Sequence, residues 1–289
     1  MKYFLLIAFH LLVYASAFAK QDASFKNISL QTQVNKEASY LVIKFDVVLK
    51  YSFNQMLKQG DSCDQYKIEV RLKQNKLLSV TKGYSNYQDE EGYLKTSYSI
   101  PLSNDVHLFE NITVMIPLAA IDLPEGAQTI KPGFKLVDKQ NRVINNSVAG
   151  ESYTVNFPQK IRLKIAVKEI EVAETDFSNE FWDYFFVDTN GARPEVCWSV
   201  LLAGRKINGS PFTDNSFFYK DLNGNDAVEF TISKNDIFYI NVYDFDKLSF
   251  SDDVGSLRMD MNETKYTSGG NFVSNFGKVL KMNFAVTVL

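Results

Sequence analysis

Ile237–Met261 reads IFYINVYDFDKLSFSDDVGSLRMDM, and its pattern decides how the chain folds. Phe238, Ile240 and Val242 alternate with Tyr239, Asn241 and Tyr243, the period of two expected of a strand with one buried face. The run ends in Asp244-Phe245-Asp246. Residues two apart on a strand share a side, so both carboxylates are expected to point one way. Lys247 to Ser251 form a short excursion, followed by Asp252-Asp253, Gly255 and a second alternating run through Leu257, Met259 and Met261. Two strands thus gather several carboxylates at one rim. Crowded like charges raise one another's pKa unless something neutralises them. Calcium does this with roughly six to eight oxygen ligands drawn from such groups. The plain alternative is a solvated acidic turn, because Asp is common in turns for local hydrogen-bonding reasons.

Strand signals continue on both sides of this stretch. From Phe25 to Phe157 one alternating run follows another. Leu41, Ile43, Phe45 and Val47 share a face of a strand over 40–51. Tyr66–Leu72 and Leu77–Lys82 read as a hairpin about Gln74-Asn75. Ile112, Val114 and Ile116 lead to Pro117, and Tyr153–Phe157 closes the unit. Roughly seven or eight short strands at this spacing predict an antiparallel β-sandwich. Phe157-Pro158-Gln159 marks a boundary, since proline cannot sit in a central strand. Ile161, Leu163, Ile165 and Val167 open a second unit, and Leu280, Met282, Phe284, Val286 and Val288 end it. The reading is an all-β chain of two antiparallel β-sandwich domains, 20–158 and 159–289.

Residues 1–19 read as a secretory signal peptide: Lys2, an apolar stretch over Phe4–Val13, and small residues at Ala17 and Ala19. The apolar stretch is shorter than the roughly twenty residues a membrane span needs. The expected product is exported, secreted or periplasmic, and either soluble or peripheral to a membrane. A net charge of −3 leaves no basic footprint for nucleic acid. Cys63 and Cys197 fall in different halves, so a disulfide would have to join the two domains, and two separate thiols are the favoured reading. Asn27, Asn111, Asn145, Asn208 and Asn262 stand in Asn-x-Ser/Thr sequons, which are glycosylated only in a eukaryotic secretory route.

The run Tyr-Asp-Phe-Asp, five residues, then Asp-Asp-Val-Gly resembles the third calcium-binding loop of the C2 domain, a calcium- and phospholipid-binding module. Asp244, Asp246, Asp252 and Gly255 fit the family's spacing. The resemblance covers about the last 130 residues, and it implies a first loop within Glu174–Glu195 that carries two further carboxylates. Asp188 and Glu195 match in kind, with departures. Glu stands in place of Asp, lies seven residues on instead of six, and follows proline instead of preceding it. Asp183 rivals Asp188, and Asp253 is a possible further ligand. The implied calcium (Ca2+) set is therefore Asp188, Glu195, Asp244, Asp246 and Asp252. Leu248 and Phe250, at the tip of the excursion, are implied to contact a membrane lipid surface. The N-terminal half resembles no family, and its partner is left as a protein or a glycan.

Enzyme chemistry finds little support. His107 is the one histidine beyond the signal peptide, so a nucleophile-histidine arrangement has a single candidate, far in sequence from Cys197. Two cysteines and one histidine give no zinc spacing. Paired carboxylates serve glycoside hydrolysis only when one is protonated and the other ionised at a set separation, and a crowded rim suits a cation better. Asp221–Asp226 lacks the closing Glu of a helix-loop-helix calcium loop and sits between strands. The expectation is calcium-dependent attachment to a phospholipid surface. The alternative is a structural or adhesive protein in which the ion stiffens loops.

Overall fold

The computed structural model describes residues 22–35, 37–58, 65–101, 106–148, 151–179, 182, 193–210, 216–221, 224–245 and 252–289. The chain is all-β, with antiparallel sheets throughout. The first half contributes β1 (Ala23–Val34), β2 (Ser39–Leu49), β3 (Gln65–Lys73), β4 (Lys95–Pro101), β5 (Leu108–Pro117), β6 (Gly126–Asp138), β7 (Val143–Val148) and β8 (Tyr153–Phe157). One sheet runs β1-β2-β5 and the other β4-β3-β6-β7, with β8 paired to the early part of β6. Alternation in the sequence becomes alternation in burial. Leu41, Ile43, Phe45, Val47 and Leu49 of β2 are buried, as are Tyr66, Ile68, Val70 and Leu72 of β3. The rings of Phe25 and Phe45 lie 4.7 and 4.8 Å from that of Phe134, joining the two sheets across the core.

Leu77–Lys82 departs from the expected hairpin strand. Leu77 bridges Lys73, Ser79 bridges Tyr93, and Val80 bridges Ile121. Neighbouring residues that take partners from separate segments cannot build a ladder. The Asp89 side chain, in the bend before Tyr93, is only 4% exposed. It pairs with Arg71 at 2.9 Å, and its other oxygen accepts from the backbone N–H groups of Glu91 and Tyr93. A carboxylate with that many donors organises the bend.

The second half holds β9 (Lys160–Val172), β10 (Val196–Leu202), β11 (Arg205–Asn208), β12 (Phe218–Lys220), β13 (Ala227–Ser233), β14 (Ile237–Asp244), β15 (Asp252–Asp260), β16 (Gly270–Phe276) and β17 (Val279–Val288). The sheet β11-β10-β14-β15 faces β12-β9-β17-β16, whose β9 also pairs with β13. Between them lie Leu163, Ile165 and Val167 of β9, Trp198 and Val200 of β10, Phe238, Ile240 and Val242 of β14, and Phe284 of β17, all buried. Phe230 and Phe238 meet edge to face across the two sheets at 5.1 Å.

Each described strand ladder stays on one side of Pro158-Gln159, yet the halves are tied together. The β13–β14 turn presents Asp236, whose Oδ1 accepts the Ser39 N–H at 3.0 Å, and the Ile237 N–H donates to the Glu37 carbonyl at 2.7 Å. The Thr231 N–H donates to the Lys82 carbonyl at 3.0 Å. Lys160 Nζ reaches the carbonyls of Ile121 and Leu123, the latter at 2.9 Å, and burial lowers its pKa to about 8. The Arg205 guanidinium lies 4.8 Å over the Tyr87 ring. Gly83 has φ +96°, and a Cβ there would stand 2.6 Å from the Phe230 Cβ, so only glycine permits this approach.

Candidate metal centre

Strand register brings three of the expected ligands to one end of the β11-β10-β14-β15 sheet. Asp244, the last residue of β14, pairs with Val196 of β10 on one side and with Asp252 of β15 on the other. Glu195 immediately precedes Val196. Asp244 continues the inward-facing row of Phe238, Ile240 and Val242, so its carboxylate is buried, with 1% exposure. Asp252 and Asp253 are exposed. A bulge separates the pairs Val242–Gly255 and Tyr243–Asp253, leaving Val254 as the extra residue. The bulge sets Asp252 directly opposite Asp244, where partners in an antiparallel pair have Cβ atoms roughly 5 Å apart.

Asp244 also holds the local backbone. Its Oδ1 accepts the Glu195 N–H at 2.6 Å, and the Phe245 N–H donates to the Glu195 carbonyl at 3.0 Å. The donors available at this end are carboxylate oxygens, the kind a hard cation takes. The nearby Cys197 thiol is turned away: Sγ donates to the Tyr243 carbonyl at 3.6 Å, and burial pushes its pKa up to about 11. Among the described residues no three His, Cys, Asp or Glu side chains gather closely enough to hold a metal ion. Asp183, Asp188, Asp246, Leu248 and Phe250 lie outside the described residues, as do Cys63 and the expected signal peptide over 1–19.

The same end of this half also collects apolar side chains. The Lys278 N–H donates to the Val254 carbonyl, the Ala173 N–H to Lys278, the Val172 N–H to Phe217, and the Ser216 N–H to Pro194. These bonds lace the ends of both sheets together. On them stand Phe177, Phe218 and Leu280, exposed by 59, 55 and 56%. Arg193 lies 5.7 Å from the Phe217 ring and Lys278 lies 5.8 Å from that of Phe177.

Asp221 organises its own turn. Its two carboxylate oxygens accept the N–H groups of Gly224, Asn225 and Asp226, which closes a tight turn. Asp236, absent from the expected set, is a second buried carboxylate, 3% exposed against 1% for Asp244. Ser233-Lys234-Asn235-Asp236 reads in sequence as an ordinary turn, and no local signal shows that the turn docks into the other half. No helix among the described residues is long and apolar enough to cross a membrane. No protein-family model and no curated protein matches the chain.

Proposed function

We propose that the C-terminal half is a C2-like calcium-binding module that attaches an exported protein to a phospholipid surface. The observation that carries this reading is the pairing of Asp244 with Asp252 directly across β14 and β15, beside Glu195. Like charges set opposite one another destabilise a sheet unless they are neutralised. A bound calcium ion would neutralise them and offer coordination positions to lipid phosphates. In this reading Asp188 and Asp246 complete the ligand set, with Asp183 and Asp253 as further candidates.

Exposed Phe177, Phe218 and Leu280 support the membrane step. Apolar side chains of this size are each stabilised by roughly 1.5–3 kcal/mol on full transfer out of water. Lys278 and Arg193 beside them suit anionic headgroups. Melting curves with calcium and with chelator test the ion site: calcium raises the melting temperature of the wild-type chain, and Asp252→Asn abolishes most of that rise. Equal melting in calcium and chelator rejects the site. Sedimentation with phosphatidylserine vesicles tests the attachment, which requires pelleting that depends on calcium.

A second reading, a structural or adhesive protein, draws on the Asp244–Glu195 backbone bond, which shows this carboxylate already committed to shaping the rim. Here the ion stiffens the loops and the N-terminal half grips a protein or glycan. A calcium-dependent melting shift without vesicle pelleting selects this reading over the first.

A further inference from the structure

We propose that the cleft beside the junction of the two halves binds a neutral, hydroxyl-rich ligand, a glycan by chemical class. The cleft is open to solvent and measures about 480 Å³, within the roughly 300–1,000 Å³ usual for small-ligand sites. Both halves wall it. Thr32, Glu125 and Asn156 come from the first, Lys234 and Asn235 from the β13–β14 turn, and Gln159 from the connection between them.

The lining chemistry selects the ligand. Asn156, Gln159 and Asn235 line the cleft and are exposed, so three side-chain amides stand at its surface. An amide presents both a donor and an acceptor, which matches a sugar hydroxyl that does the same. Glu125 and Lys234 balance in charge, leaving no net positive field for a phosphate or another anion. Val34, Leu118, Phe157 and Pro158 supply the apolar part of the wall, but Leu118 and Phe157 expose only 2 and 1% of their surface, which leaves little for an acyl chain. The amides come from separate segments and not from one run of strand backbone, an arrangement that suits a ring of hydroxyls better than an extended peptide.

Position makes the site independent of the calcium rim. Asp236 and Asp244 stand at opposite ends of β14, roughly 26 Å apart at about 3.3 Å per residue. The Asp236–Ser39 and Ile237–Glu37 bonds hold the two walls at a fixed separation, and a preformed cleft loses less entropy on binding.

Titration calorimetry of the full chain tests this, with linear hexamers of β-1,4-linked glucose, β-1,4-linked N-acetylglucosamine and α-1,4-linked glucose as probes. At least one is expected to bind. The double variant Asn156→Ala/Asn235→Ala is expected to weaken it by about tenfold or more, with unchanged melting temperature and calcium response. Asp252→Asn is expected to leave it unaltered. Three outcomes overturn the proposal: no heat from any of the three at millimolar concentration, binding that the double variant leaves intact, or binding of an Asn-Gly decapeptide with no sugar bound. None of these bears on the calcium reading, whose own failure is read from the melting curves.

Discussion

Asp236 is buried where the halves meet, and burial raises its pKa to about 6 against the hydrogen bond from the Ser39 N–H that favours the ionised form. Tyr40 and Tyr84 both lie close enough to feel its charge. The native state therefore keeps a proton on Asp236 at pH values where the unfolded chain, near the ordinary 3.8, has lost it. The stabilisation this gives is complete below about pH 4 and is lost as pH rises through about 6. Asp236→Asn removes the titration. The difference in melting temperature between wild type and variant should thus change between pH 4 and 6.5 and stay level above, as a series of thermal melts will show. Gly83 gives a second prediction at this scale. Gly83→Ala forces a Cβ against Phe230 at a left-handed φ and should destabilise by about 1–3 kcal/mol in urea titration. Cys197 gives a third: with its pKa pushed up and its sulfur buried, it should react with a thiol reagent only once the chain is denatured.

At the scale of elements, β14 and β15 explain both what was legible and what was not. Their alternation is visible in the sequence, and so is the crowding of Asp near their shared rim. The bulge at Val254 is not, because it depends on how β15 meets the β16–β17 turn: the Lys278 N–H bonds the Val254 carbonyl. That packing places Asp252 opposite Asp244. Nor does sequence show that Asp244 accepts the Glu195 N–H, a contact between β14 and the start of β10, separated by 49 positions. Asp244→Asn keeps an acceptor there, whereas Asp244→Ala leaves a partly buried N–H without one. The alanine variant should be less stable than the asparagine variant by about 1–3 kcal/mol in chemical denaturation. Leu77–Lys82 teaches the converse. Its apolar pattern predicts a strand, but its residues take partners from Lys73, Tyr93 and Ile121 in turn.

For the whole molecule, the expected boundary at Pro158 separates the strand ladders without freeing the halves. The Asp236 carboxylate and Thr231 backbone ties, the half-buried Lys160 ammonium and the Arg205–Tyr87 contact couple them. Heating in a calorimeter should therefore give one cooperative transition, and two resolved peaks would show the ties to be weak. What the sequence by itself determined is the all-β, antiparallel character and the alternating core faces, because side-chain period follows directly from backbone geometry. It also determined that Asp244 and Asp252 would lie on neighbouring strands, since β14 and β15 follow one another in the chain. Only the tertiary structure decided that Ser39 and Asp236, 197 positions apart, join the halves, and that Asn156, Gln159 and Asn235 share a cleft. The reason is physical: a turn residue's local pattern is the same whether water or another half of the molecule receives it, and only packing selects the partner.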